Sequence, residues 1–235
     1  APAAARAALA RAMENSPLGY TVALGLPALR ARIAQLYAEW YGVDLDPGRV
    51  VVTPGSSGGF ILAFTALFDA GARVALGAPG YPSYRQILRA LDLQAVEVQT
   101  SAENGYQPVP DDLSGIDYAG LLVASPANPT GTMLDKPALA ALIDAAQARG
   151  AAFLSDEIYH GIDYDRRAVT ALEISDDVVV INSFSKYFSM TGWRVGWLVV
   201  PEDMVRQVER LAQNLFICPP HAAQVAALAA LDARE

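Results

Sequence analysis

Lys186 stands between Ser185 and Ser189 in S-F-S-K-Y-F-S, shortly after the apolar run 178–181, and Arg194 follows in the same segment. Lysine is seldom fully buried, so one at the end of a buried strand is either a paired oddity or a reagent. A partly desolvated ammonium, or one near other cations, loses its proton more readily and can then form a Schiff base with an aldehyde. Arg194 and the hydroxyls of Ser183 and Ser185 lie within a few residues and are suited to holding a phosphate beside it.

Three more stretches follow apolar runs in the same way. After V-V-V-T at 50–53 comes P-G-S-S-G-G-F, with Ser56, Ser57 and Gly58. Its glycines permit close backbone approach, and a following helix aims free amides at an anion; a flexible strand-to-helix turn is the plain alternative. The stretch matches neither G-x-G-x-x-G nor the Walker pattern, which disfavours nucleotide binding. After 121–124, S-P-A-N-P-T-G-T presents Asn128 in a tight turn, as a turn former or as an amide donor. After 151–154, S-D-E-I-Y-H-G places Asp156 and Tyr159 at a strand end. Asp156 is either a solvated loop carboxylate or a desolvated acid that a cationic ring nitrogen would compensate. His160 reads as a structural or solvated residue rather than a catalytic one. An aldehyde-reactive lysine, a phosphate cradle, an acid for a ring nitrogen and a phenol plus amide for a ring oxygen together describe a site for pyridoxal 5'-phosphate.

The elements that must position these groups alternate along the chain. Helical spacing covers 27–41, and D-P-G turns the chain into a strand at 50–53. Helices are expected over 57–68, 83–91, 136–149, 202–214 and from 220 onward. Strands are expected at 73–76, 94–98, 121–125, 151–154, 178–182 and 195–200. The helix at 136–149 has both end signals, Asp135 as N-cap and Gly150 as stop. Short apolar strands separated by helices give an α/β fold, a mainly parallel sheet covered by helices on both faces. Ligands of such sheets bind beyond the carboxyl ends of the strands, which is where the four stretches fall.

Composition narrows the classes. The chain has 235 residues, 53% hydrophobic and 18% charged, which suits a compact fold with a substantial core. A net charge of -8 and a pI near 4.8 argue against nucleic-acid or anionic-membrane partners. Cys218 is the only cysteine, so no intrachain disulfide forms, in keeping with a reducing cytoplasm. No apolar run reaches the roughly 18 residues of a membrane span, and the alanine-rich opening reads as a helix rather than a signal peptide. No metal site is expected.

Five motifs in order, G-Y-T-V-A-L-G-L-P-A-L-R, P-G-Y-P-S-Y, N-P-T-G-T, D-E-I-Y and S-F-S-K-Y-F-S-M-T-G-W-R-V-G, resemble the class I and II aminotransferases of fold type I. The resemblance runs from about Tyr20 to Pro220. It implies an enzyme that moves an amino group between an L-amino acid and a 2-oxo acid by a ping-pong mechanism. Lys186 would hold the cofactor as an internal aldimine, Asp156 would pair with the pyridinium nitrogen, and Asn128 and Tyr159 would bond the phenolic oxygen. Tyr81 would stack on the ring. Ser56, Ser57, Gly58, Ser183 and Arg194 would hold the phosphate, and Tyr20 would reach the phosphate in the neighbouring subunit of a homodimer with shared sites. Pro79 and Pro129 match positions that are often cis in relatives. The resemblance further implies that residues 1–218 form the cofactor-binding large domain, with 1–19 a helix leading in. Residues 219–235 would begin a helix connecting to a small C-terminal domain absent from this chain, and with it the arginine that clamps the substrate's α-carboxylate. A carbon-sulfur β-lyase on the same scaffold and a non-catalytic effector domain of a transcription regulator share these motifs as alternatives.

Overall fold

The computed structural model describes residues 1–233; the last two residues of the expected connecting helix, 234 and 235, lie outside them. The helices are α1 (Ala3–Asn15), α2 (Pro27–Tyr41), α3 (Gly55–Leu67), α4 (Pro82–Ala90), α5 (Lys136–Gln147), α6 (Val205–Leu215) and α7 (His221–Asp232). The strands are β1 (Val50–Thr53), β2 (Arg73–Ala78), β3 (Gln94–Gln99), β4 (Gly120–Ala124), β5 (Ala152–Asp156), β6 (Val179–Ser183) and β7 (Gly196–Val199). They form a seven-stranded, mostly parallel sheet, the α/β class expected. None of the described helices is long and apolar enough to cross a membrane. The chain divides into two compact units, Ala1–Leu62 with Asn182–Glu235, and Ala63–Ile181, the division falling within β6.

In the first unit the strand order is β1-β7-β6, and β7 runs antiparallel to β1, with Val50 opposite Val199 and Thr53 opposite Gly196. Pro27 opens α2 and Gly42 ends it with a left-handed φ of 71°, the conformation glycine adopts without a Cβ penalty. The face of α2 that carries Leu29, Ile33, Leu36 and Tyr37 is buried, and the Tyr37 hydroxyl accepts from Trp197 Nε1 at 3.2 Å. Arg30 fastens the helix to the strand, donating from Nε to the Val50 carbonyl at 2.7 Å. Gln224 of α7, fully buried, accepts from the Leu26 amide at 2.7 Å and donates to Thr21 Oγ1 at 3.1 Å. Those two bonds fix the segment that carries Tyr20.

In the second unit the order is β6-β5-β4-β2-β3, all parallel. Asp135 caps α5 as expected, accepting from the Ala138 amide at 2.9 Å, but the helix ends at Gln147 rather than 149. The strands carry polar residues that the apolar runs do not show. β5 continues to Asp156 because it is paired on both sides, Ala124 and Ile181 flanking Asp156, so ladder hydrogen bonds hold Ser155 and Asp156 extended whatever their polarity. β6 likewise ends on Ser183 rather than 182. Pro79 and Pro129 follow cis peptide bonds, as does Pro126.

Candidate active site

The first unit carries Lys186 and the groups expected to hold a phosphate. β6 delivers Ser183 buried at its end, and the chain turns at once, Ser189 N bonding to the Lys186 carbonyl at 2.9 Å and Met190 N to the Phe184 carbonyl at 3.0 Å. Lys186 sits half-buried in that turn. The two serines flanking Phe184 are joined, Ser183 Oγ to Ser185 Oγ at 2.8 Å. Arg194 adopts a left-handed φ of 49° as β7 begins, and its Nη1 donates to the Thr191 carbonyl at 2.8 Å.

Glycines bring the start of α3 against this segment. A Cβ on Gly55 would stand 2.5 Å from Arg194 Nη2, and one on Gly196 would stand 2.7 Å from the Asn182 carbonyl oxygen and 3.0 Å from Ser56 N. Gly58 is likewise required, since a Cβ there would meet Pro54 Cγ at 2.7 Å. The missing side chains therefore let a helix N-terminus, with its unbonded amides, share one place with the Arg194 guanidinium. A phosphate monoester fits that donor set. Ser57 is exposed at the same helix start, and Tyr20 is 82% exposed.

The second unit carries the groups suited to an aromatic ring. Asn128 Nδ2 donates to the Tyr159 hydroxyl at 3.4 Å, so the two residues expected to share a ring oxygen are together. They open onto a pocket of about 460 Å³ lined also by Pro126, Met133, Ile162 and Tyr164. Asp156 is buried, with Oδ1 accepting from the Ile158 amide at 3.1 Å and Oδ2 from the Tyr84 hydroxyl. The Tyr81 ring stands edge-on to Tyr84, centroids 5.5 Å apart, and both line a second pocket of about 440 Å³.

Tyr84 is the residue the sequence reading missed. It lies in the quoted motif P-G-Y-P-S-Y, three residues after Tyr81, which immediately precedes α4, so the two rings meet at the helix start; that spacing was the available signal. Burial pushes the Asp156 carboxyl up from 3.8 to about 6, while the Tyr84 hydroxyl and the Ile158 amide pull it down. Burial, reinforced by the Asp156 charge, also raises the Tyr84 hydroxyl well above its usual value, so it stays a donor. A buried carboxylate still short of charge compensation suits a cationic ring nitrogen, and this is the second point at which pyridoxal phosphate fits the residues present. Tyr84→Phe removes a donor to the charged form, so the Asp156 titration, followed by carboxyl carbon NMR, should move upward by about one pH unit.

Residues 1–235 match the family model described as aminotransferase class I and II. The chain belongs to this family. Among curated relatives, the valine–pyruvate aminotransferase of Mycobacterium tuberculosis is 49% identical over 234 residues, covering 98% of this chain and 60% of the relative. Among solved structures, a candidate aminotransferase from Silicibacter pomeroyi is 71% identical with a TM-score of 0.93, covering 99% of this chain and 60% of that one. An aminotransferase from Mycobacterium tuberculosis is 48% identical with a TM-score of 0.95, covering 98% and 64%. The chain thus spans about 60% of the length of the curated relative it matches.

Proposed function

We propose that the protein containing this chain is a pyridoxal-phosphate-dependent aminotransferase that moves an amino group between an L-amino acid and a 2-oxo acid in ping-pong order. The observation that carries this reading is the Asp156 carboxylate, buried at the end of β5 with Tyr84 donating to it, in a chain of this family. Residues 1–218 act as the cofactor-binding portion, and 219–235 as the start of a connection to a further domain.

Bound pyridoxal phosphate supplies an aldehyde that links to amines and a protonated pyridine ring that draws electrons from Cα. Lys186 would provide the amine for that aldehyde and, when free, would be the base that moves the Cα proton. Asp156 would hold a proton on the ring nitrogen. Asn128 and Tyr159 would bond the phenolic oxygen, and Tyr81 would hold the ring. Ser56, Ser57 and Gly58 at the start of α3, with Ser183 and Arg194, hold the phosphate. Tyr20, exposed on its fastened segment, reaches the phosphate in a partner subunit of a homodimer.

Branched and small L-amino acids with pyruvate are the first pairs to try, since the 49% identical relative is a valine–pyruvate aminotransferase. A panel of amino donors, mixed with the protein loaded with pyridoxal phosphate, should convert the lysine-linked cofactor to its aminated form and release one equivalent of 2-oxo acid. Release of ammonia with pyruvate would instead mark β-elimination, and no spectral change with any donor would overturn the assignment.

A further inference from the structure

Directly after Asp156, the second unit buries an acid and a histidine that the reaction does not use. Glu157 is fully buried, and its Oε1 accepts three bonds, from Ser155 Oγ at 3.0 Å, Thr170 Oγ1 at 3.0 Å and the Ala171 amide at 2.8 Å. Its Oε2 accepts no hydrogen bond and faces His160 Nδ1 at 3.6 Å. His160 is also buried, and its Nε2 lies 2.9 Å from the Ser125 carbonyl oxygen. A carbonyl only accepts, which places a hydrogen on Nε2. The other ring nitrogen, Nδ1, faces the Glu157 carboxylate across a distance longer than a hydrogen bond. Burial raises the Glu157 carboxyl, while the neighbouring His160 and the three donors pull it down.

Ser125 is where the two halves of the ring-binding edge join. Its amide bonds to the Asp156 carbonyl at 3.3 Å, and its Oγ accepts from the Leu134 amide at 2.9 Å, closing the loop that carries Asn128. Inside that loop the Ala127 amide bonds to the Thr132 carbonyl at 2.9 Å. His160 thus ties the Asn128 loop to the turn that carries Tyr159, and Glu157 ties His160 to Thr170 and Ala171.

We propose that Glu157 and His160 are a positioning pair: His160 donates to the Ser125 carbonyl, Glu157 anchors the 170–171 segment beside it, and together they clamp the Ser125–Asn128 loop against the turn after β5 and so hold Asn128 within reach of Tyr159. The clamp is a property of the second unit's own residues; its consequence for cofactor binding rests on the functional reading above.

The test uses the chain without cofactor. His160→Leu should raise amide hydrogen exchange across 125–134 by about tenfold or more, as expected when a loop loses a buried hydrogen bond, while the β4 and β5 amides stay protected. His160→Gln, which can still donate to the Ser125 carbonyl, should bring exchange back to within about threefold of the parent. In Glu157→Gln the amide oxygen can keep the three donors, so the loop should stay protected. A folded His160→Leu chain with parental exchange at 125–134 would overturn the proposal. Should His160→Leu not fold, His160→Phe, which keeps a ring and lacks the donor, decides it on the same readout. Titration with pyridoxal phosphate should then show His160→Leu about tenfold weaker than the parent. A parent chain that takes up no pyridoxal phosphate would count against the functional reading and leave the exchange result standing.

Discussion

Lys186→Ala should lower the rate of amino-group transfer by about 10⁴-fold or more and remove the visible absorbance of the lysine-linked cofactor. The magnitude follows because one side chain does two jobs. In the proposed function it would supply the amine for the aldehyde and would also be the base that takes the Cα proton, a contribution worth roughly 10² to 10⁴ on its own. Lys186→Arg separates these jobs from simple charge, since the guanidinium keeps the cation but is neither nucleophile nor base at neutral pH. It should be as inactive as alanine in steady-state assays while still taking up pyridoxal phosphate, followed by quenching of tryptophan fluorescence. Lys186→Ala protein with parental turnover would end the assignment.

Asp156→Asn should reduce turnover by about 10² to 10³-fold and, at the same time, stabilise the cofactor-free chain at pH 8. The two effects share one cause. In the folded chain the carboxyl titrates near 6 instead of 3.8, because burial disfavours its charge more than Tyr84 and Ile158 favour it. A raised acid pKa contributes stability that is complete below the unfolded value and lost as pH rises through the folded one. Above pH 6 the ionised Asp156 therefore costs the empty chain on the order of 3 kcal/mol, which the neutral amide avoids. Thermal melts of parent and variant should diverge between pH 4 and pH 6, with the variant the more stable above that window. In the proposed function bound cofactor would reverse the sign, because a pyridinium nitrogen would compensate the carboxylate. Parental affinity for pyridoxal phosphate should therefore fall as pH drops below about 6, and that fall should be absent in the variant. Melts that coincide at every pH would show that the carboxylate is not held at this penalty.

The groups readable from the chain alone were those whose chemistry is signalled by local order. Lys186 next to an apolar run, Asp156 after another and Asn128 between prolines all stand out because a strand end puts one residue type out of keeping with its neighbours. Their order along the chain carried the family, since five short motifs in sequence need no knowledge of contacts. The α/β class followed from the alternation of periods, which is also local.

Strand limits were less legible where pairing overrode composition. The apolar run ends at Leu154, yet the ladder on both sides carries β5 two residues further and delivers Asp156 from a rigid strand rather than a loop. β6 too runs one residue past the expected limit, to Ser183. His160, two-sided in the chain as structural or solvated, is buried because Ser125 and Glu157 both close on it.

The family, and the candidates for a cofactor lysine, a ring acid and a phosphate loop, were written in residue types and short spacings, which survive without any fold. What only the tertiary structure decided is how those groups are tuned. Tyr84 reaches Asp156 from 72 residues away, and Glu157 holds Thr170 and Ala171 from 13 and 14 away. Gly55 and Gly196, far apart in the chain, give up their side chains to the same place. Such pairings depend on strand order and burial, and burial is what moves a carboxyl from its ordinary value to one near 6.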